Sequence, residues 1–301
     1  DQFCRQSSPA ARHVIHLVAI LLALLTLFWG LNWPIMKLAL NEIPVFTFRT
    51  FCLGGGAIGL FAIAIAMRMP LGIPAGRFRQ MLLISLCNIT GWNVLVLYGL
   101  GMLPAGRTTI IAFTMPLWLV PLSAYFLHER LNGWKLAGLL IGLCGLAVLL
   151  GGEWQAMLAA PLGVALVLGA AISWAFGTML TKLYAIPMPS VPFVGWQMVL
   201  GGLPIMLLAP IFETDRWHSY SALAWGAALY NAVICFVFCY WVWNRLVQVL
   251  PAQVSGLSTL MIPVVGVFSS MLMLGEQPGW PEFGALGLIT LALGAVLKPS
   301  R

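Results

Sequence analysis

Long apolar runs alternate with short polar connections along the whole chain. Ten runs stand out, at about 15–38, 45–67, 80–101, 104–127, 134–151, 159–181, 191–212, 222–244, 251–275 and 280–297. A helix needs ~20 mostly apolar residues to cross the hydrocarbon of a bilayer. Helices also satisfy their backbone groups within the segment, as lipid requires. The pattern therefore predicts an all-α membrane protein of ten transmembrane helices in an antiparallel bundle. Residues 1–13, DQFCRQSSPAARH, read as a tail outside the first span. The first apolar segment runs on without a small-residue cleavage site and reads as a span, not as a signal peptide.

Composition agrees. Hydrophobic residues make up 61% of the 301 positions and charged residues 8%, against roughly 45–50% apolar and about 25% charged in soluble domains. So few charges cannot clothe a water-facing surface. The net charge of +7 belongs to the loops, so it reports topology and does not suggest nucleic acid. With the N-terminus taken as cytoplasmic, the inner side holds Arg5, Arg12, Arg68, Arg77, Arg79, Arg130, Lys135, Lys182, Arg245, Lys298 and Arg301. The outer side holds Lys37, Arg49, Arg107 and Arg216, together with Glu42, Glu153, Glu213, Asp215, Glu276 and Glu282. The excess of inner cations predicts both termini on the cytoplasmic side. Cys52, Cys87, Cys144, Cys235 and Cys239 lie in apolar runs at spacings that match no zinc or redox motif, and read as small hydrophobes.

One apolar run is unusual. Residues 103–129, LPAGRTTIIAFTMPLWLVPLSAYFLHE, carry three prolines, and an interior helical proline costs about 3 kcal/mol or more. Residues 250–276, LPAQVSGLSTLMIPVVGVFSSMLMLGE, repeat that stretch at an offset of 147, with 8 of 27 positions identical. Pro104 matches Pro251, Pro116 matches Pro263 and Glu129 matches Glu276. Trp29 and Lys37 recur as Trp174 and Lys182 at an offset of 145, and the Leu-Gly-Gly of 53–55 recurs at 200–202. The chain thus divides into a first repeat, 14–152, and a second, 153–298. Each holds five helices, an odd number, so the second copy enters the membrane from the opposite side. Inverted repeats of this kind build many secondary transporters, because two similar halves can exchange conformations at comparable energy.

These residues carry a family resemblance over about 15–298. The Trp-Gly, Trp and Lys of WGLNWPIMK, the arginine just inside the second helix, and the Leu-Pro-Ala, Pro and Glu of the fourth resemble the EamA type of the drug/metabolite transporter superfamily. The tryptophan content and length are similar to its bacterial branch of aromatic amino acid exporters. The resemblance implies a bacterial inner-membrane exporter of small metabolites, foremost amino acids including aromatic ones, working by alternating access through a central cavity. Other members of the fold carry nucleotide sugars, drugs or other metabolites. A nucleotide sugar would call for a firmer cluster of Lys and Arg than this chain offers.

Candidate site residues follow from burial and polarity. Tyr and Trp deep in spans need polar partners, and next to amides they would line a cavity suited to an amphipathic solute. The candidates are Asn32, Trp33, Asn88, Trp92, Tyr98, Trp118, Trp174, Tyr230, Asn231, Tyr240 and Trp243; each competes with a plain packing or lipid-facing role. Trp134, Trp154, Trp217 and Trp280 lie beside loops and fit an interfacial belt. Pro104, Pro116, Pro251 and Pro263 are hinge candidates. Lys37 and Lys182 are gate candidates, set against simple snorkelling to the interface. Thr108, Thr109, Thr114, Ser255, Ser258 and Thr259 divide between bonding their own backbone and facing the cavity. The pairs Gly55/Gly59 and Gly138/Gly142 suit close helix packing.

No Asp or Glu falls near the middle of a span and all four His sit at ends or loops. That argues against a carboxylate-coupled ion pump and removes the usual acid, base and metal ligands of an intramembrane enzyme. Neither cofactor nor metal is expected. The expected partners are a small-molecule substrate and the bilayer, with the chain a monomer or weak homodimer. A receptor or channel without carrier activity is the reading from another class.

Overall fold

The structure is a computed structural model and describes residues 9–128, 133–151, 160–243 and 262–296. It is helical, with no strand among the described residues. In chain order the elements are α1 (Pro9–Leu40), α2 (Val45–Ala66), α3 (Phe78–Met102), α4 (Ala105–Phe126), α5 (Gly133–Gly151), α6 (Pro161–Tyr184), α7 (Ser190–Phe212), α8 (Ala222–Trp243), α9 (Ile262–Leu274) and α10 (Trp280–Val296). Among the described residues, seven helices are long and apolar enough to cross a membrane; α5, α9 and α10 are shorter apolar helices. Large apolar side chains such as Ile58, Leu207 and Leu272 are exposed on the outside of the bundle, which is what a lipid solvent selects.

The helices pack with an internal two-fold pattern. α2 lies against α7, α5 against α10, and α4 against α9, each pairing matched positions of the two halves. The remaining large contacts come in exchanged pairs. α3 packs on α6 as α8 does on α1, α4 on α6 as α9 on α1, and α2 on α8 as α7 on α3. The N-terminus of α2 meets the residue after the C-terminus of α7, so the paired helices run antiparallel and the repeats are inverted. Where backbones approach closely, glycine is required. A Cβ on Gly59 would sit 2.5 Å from Val237, and one on Gly142 would sit 2.3 Å from Leu117. Gly59 therefore packs α2 onto α8 within the bundle, and Gly142 packs α5 onto α4.

Three departures from regular α-helix bear on the site. α3 widens to a π-helix over Leu86–Gly91 and α8 over Tyr230–Cys239, at matched positions of the two halves. α4 breaks at Phe113 and Thr114 and resumes at Met115. The prolines sit where these breaks make them tolerable. Pro104 lies outside the helix as the N-cap of α4, and not within the span as the sequence suggested; there its missing N–H has no bond to lose. Pro116 opens the second half of α4 and so sits near a helix start, and Pro263 is the second described residue of α9. Pro121 alone of the three in the fourth run is truly interior. Pro251 lies outside the described residues.

Candidate functional site

A cavity of about 120 Å³ lies at the centre of the bundle, between the halves. That is well above the roughly 10–15 Å³ one water occupies. Asn32, Trp33 and Met36 reach it from α1, Trp92, Asn93 and Val96 from α3, and Trp174 from α6. Cys235, Phe236, Tyr240 and Trp243 come from α8, Arg49 from α2, and Phe113 and Met115 from the break in α4. The π-turns explain part of this placement. Extra residues per turn rotate the following side chains, and such turns gather at functional sites. Trp92 and Asn93 follow the first π-segment directly; Cys235 and Phe236 lie within the second and Tyr240 follows it.

The walls are a connected set of rings. Phe236 and Tyr240 stack at 5.4 Å and 8°. Tyr240 meets Trp29 edge-on at 5.8 Å and Trp174 at 6.4 Å. Trp174 contacts Trp92 at 5.0 Å, and Trp29 contacts Trp243 at 5.9 Å. Arg49 closes this wall. It is 2% exposed, 5.2 Å from the ring centres of both Phe48 and Phe236, and donates to Asn231 Oδ1 at 3.0 Å. Asn231 in turn donates to Asn32 Oδ1 at 2.6 Å.

Above the cavity, one end of the bundle is tied by carboxylates. Glu213 accepts from Phe46 N, Thr47 N and Thr47 Oγ1 at 3.0, 2.7 and 2.8 Å, capping α2. Glu276 accepts from Ala105 N and Gly106 N at 2.6 and 2.9 Å, capping α4. Both place anions on a positive helix N-terminus. Arg107 pairs with Glu282 at 2.7 Å, and Glu42 accepts from Ser221 N and Oγ at 2.8 and 2.6 Å. Lys37 donates to the carbonyls of Leu100, Gly101 and Leu103, the last at 2.8 Å. Outside the spans, the two Ser221 bonds hold the Glu42 carboxyl below its usual value.

Of the eleven cavity candidates, Asn32, Trp33, Trp92, Trp174, Tyr240 and Trp243 line the cavity. Five do not. Asn88 is turned to Gln197, 3.2 Å away, and packs against Gly177. Tyr98 lies at the capped end, 36% exposed, edge-on to Phe46. Trp118 donates to Thr114 Oγ1 one turn back in α4, and Tyr230 to the Phe28 carbonyl. Asn231 stands behind the wall, where it holds Arg49. Lys37 binds carbonyls at the capped end, whereas Lys182 is exposed at the last turn of α6. Thr108, Thr109 and Thr114 all bond their own backbone, and Ser255, Ser258 and Thr259 lie outside the described residues. Sequence reasoning passed over Met36, Val96, Phe113 and Met115 as plain apolar residues. It noted Arg49 only as a cation near a span end and part of a motif; its isolation from every acid in its half of the spans was the available signal.

The EamA-like transporter family matches this chain twice, over residues 16–151 and 161–297. The chain belongs to that family. The "Uncharacterized transporter YvbV" of Bacillus subtilis is 31% identical over 94% of this chain and 92% of its own length. The "Probable amino-acid metabolite efflux pump" of Escherichia coli K12 is 24% identical, covering 93% of each. A solved crystal structure superposes with a TM-score of 0.65 at 20% identity, over 91% of this chain and 96% of that one, so the fold is shared. The protein is thus a multi-pass membrane protein of a transporter family, not an enzyme.

Proposed function

We propose that this EamA-family protein is a secondary transporter that exports small metabolites, foremost amino acids including aromatic ones, by alternating access through the central cavity. The observation that carries the reading is the cavity itself. It lies where the inverted halves meet, it is walled by aromatic rings and amides, and one end above it is tied shut by polar bonds. Such a lining suits a solute with an apolar body and a polar head. The name of the Escherichia coli relative, an amino-acid metabolite efflux pump, points the same way. A nucleotide sugar brings several negative charges, whereas Arg49 is the one cation on the cavity wall among the described residues.

In this reading the two repeats, 14–152 and 153–298, act as the exchanging units. The protein sits in the bacterial inner membrane with both termini cytoplasmic, as a monomer or weak homodimer. The carboxylate-tied end then faces outward. The test is uptake by proteoliposomes of labelled Phe, Trp and Thr, with and without a pH gradient. Saturable flux supports the reading, and absence of saturable flux for all of them refutes it. Conductance above carrier rates in single-channel recording would replace the carrier with a channel.

A further inference from the structure

We infer that Arg49 is the anchor for a carboxylate of the transported solute, and that this acid group, not an amino group, decides recognition. The site then takes amphipathic monocarboxylates whether or not they carry an amine. The inference rests on the transport reading above and specifies its substrate class.

Arg49 has five N–H donors in a planar fork. Nη1 donates to Asn231 Oδ1 at 3.0 Å and Nη2 to the Met36 sulfur at 3.1 Å, a weak acceptor. Nε is buried and has no partner. Among the described residues no Asp or Glu pairs with this guanidinium, although it is 2% exposed. A buried charge without a counter-ion is expensive, and in membrane segments such residues mark substrate pathways. The fork matches carboxylate geometry in a bidentate fashion. Asn231, itself held against Asn32, fixes one side of the guanidinium; beyond it stand only the neutral, weakly accepting sulfurs of Met36 and Cys52, and Nε is left unpaired.

The rest of the cavity says what accompanies the acid. From Arg49 the wall runs through Phe236 and Tyr240 to Trp174, an aromatic track for an apolar body. No acidic side chain lines the cavity among the described residues. An ammonium would therefore find ring faces and amide oxygens but no carboxylate to pair with, whereas the acid group has a guanidinium. The other nearby cation, Lys37, is occupied by three carbonyls at the capped end.

The test is competition against labelled Phe in proteoliposomes of the wild-type protein. 3-Phenylpropionate, the acid without the amine, should compete within about threefold of Phe. Phenethylamine, the amine without the acid, should be at least roughly tenfold weaker, as expected when a buried charged donor is left unpaired. Arg49→Gln should abolish saturable Phe uptake, and Arg49→Lys should restore part of it, since a point charge replaces the fork. Phenethylamine competing as well as phenylpropionate overturns the inference while leaving transport of amino acids intact. A folded Arg49→Gln protein with unchanged KM for Phe overturns the anchor role likewise. Absence of saturable flux for any amino acid overturns the transport reading, and this inference with it. The wild-type competition needs no variant to fold.

Discussion

Removing the Glu276 carboxylate should open the capped end. This residue follows α9 and receives two main-chain N–H bonds from the first turn of α4, at 2.6 and 2.9 Å, and so joins the two halves. Each bond to a charged acceptor is worth about 1.5–3 kcal/mol. The two bonds share one carboxylate and do not add in full, so Glu276→Ala should favour the open form by about 2–4 kcal/mol. At about 1.4 kcal/mol per decade, the ratio of open to closed shifts roughly 30- to 700-fold. Val96 lines the cavity and is 1% exposed, which makes it a reporter. A Val96→Cys protein, with the other cysteines except Cys52 replaced, is treated with an impermeant maleimide from the capped side. We expect labelling at 96 to accelerate at least tenfold in Glu276→Ala and less in Glu276→Gln, which retains a carbonyl acceptor. Cys52, buried between α2 and α8 with its thiol 3.8 Å from the Ala228 carbonyl, should stay unlabelled as the control against general unfolding. Unchanged labelling at 96 in a folded Glu276→Ala protein would refute the claim that these bonds hold the end closed.

Further expectations come from the wall, the packing and the caps. Trp174→Ala should raise KM for an aromatic solute about 2- to 10-fold, the worth of one aromatic contact. Trp118→Ala, off the cavity, should leave flux unchanged; equal effects in the two uptake assays would move the cavity. Gly177→Ala should destabilise by about 1–3 kcal/mol, because its Cβ would come 2.0 Å from Asn88 Oδ1 and 3.0 Å from the Asn88 backbone nitrogen. Gly287→Ala, with nothing within 4 Å, should be neutral or slightly stabilising in the same detergent melt. Glu42 has a lowered pKa because Ser221 bonds its charged form. Its stabilisation is therefore present above the ordinary carboxylate pKa and is lost as pH falls through the lowered value. The melting-temperature gap between wild type and Glu42→Gln should hold near neutrality and close below about pH 4; a gap independent of pH would contradict the assignment.

The spans were legible because lipid leaves a chain few ways to cross it, and each crossing needs a long apolar run. The inverted repeat was legible because Leu-Pro-Ala, Pro and Glu recur in step at 104, 116 and 129 and at 251, 263 and 276. What faces the cavity was not. A helix with lipid on one side and protein on the other is apolar all round, so periodicity carries little sense of inside and outside. Trp118 and Trp174 look alike in sequence, yet one ends on Thr114 and the other on the cavity. The π-turns add to this, since residues past 91 and 230 are turned by an amount no propensity encodes.

Arg49 shows how the lost signal can be regained. Taken alone it is a cation one turn inside a span, and snorkelling would explain it. The structure withdraws that explanation. Glu213 occupies the turn above it at the N-terminus of α2, Asn231 and two rings fix it in place, and it is buried with Nε unpaired. A charge held this rigidly, and not neutralised by an acid among the described residues, keeps its capacity for an anion that arrives and leaves. A permanent counter-ion would stabilise the resting protein and remove that capacity, so its absence is what a carrier of carboxylates requires.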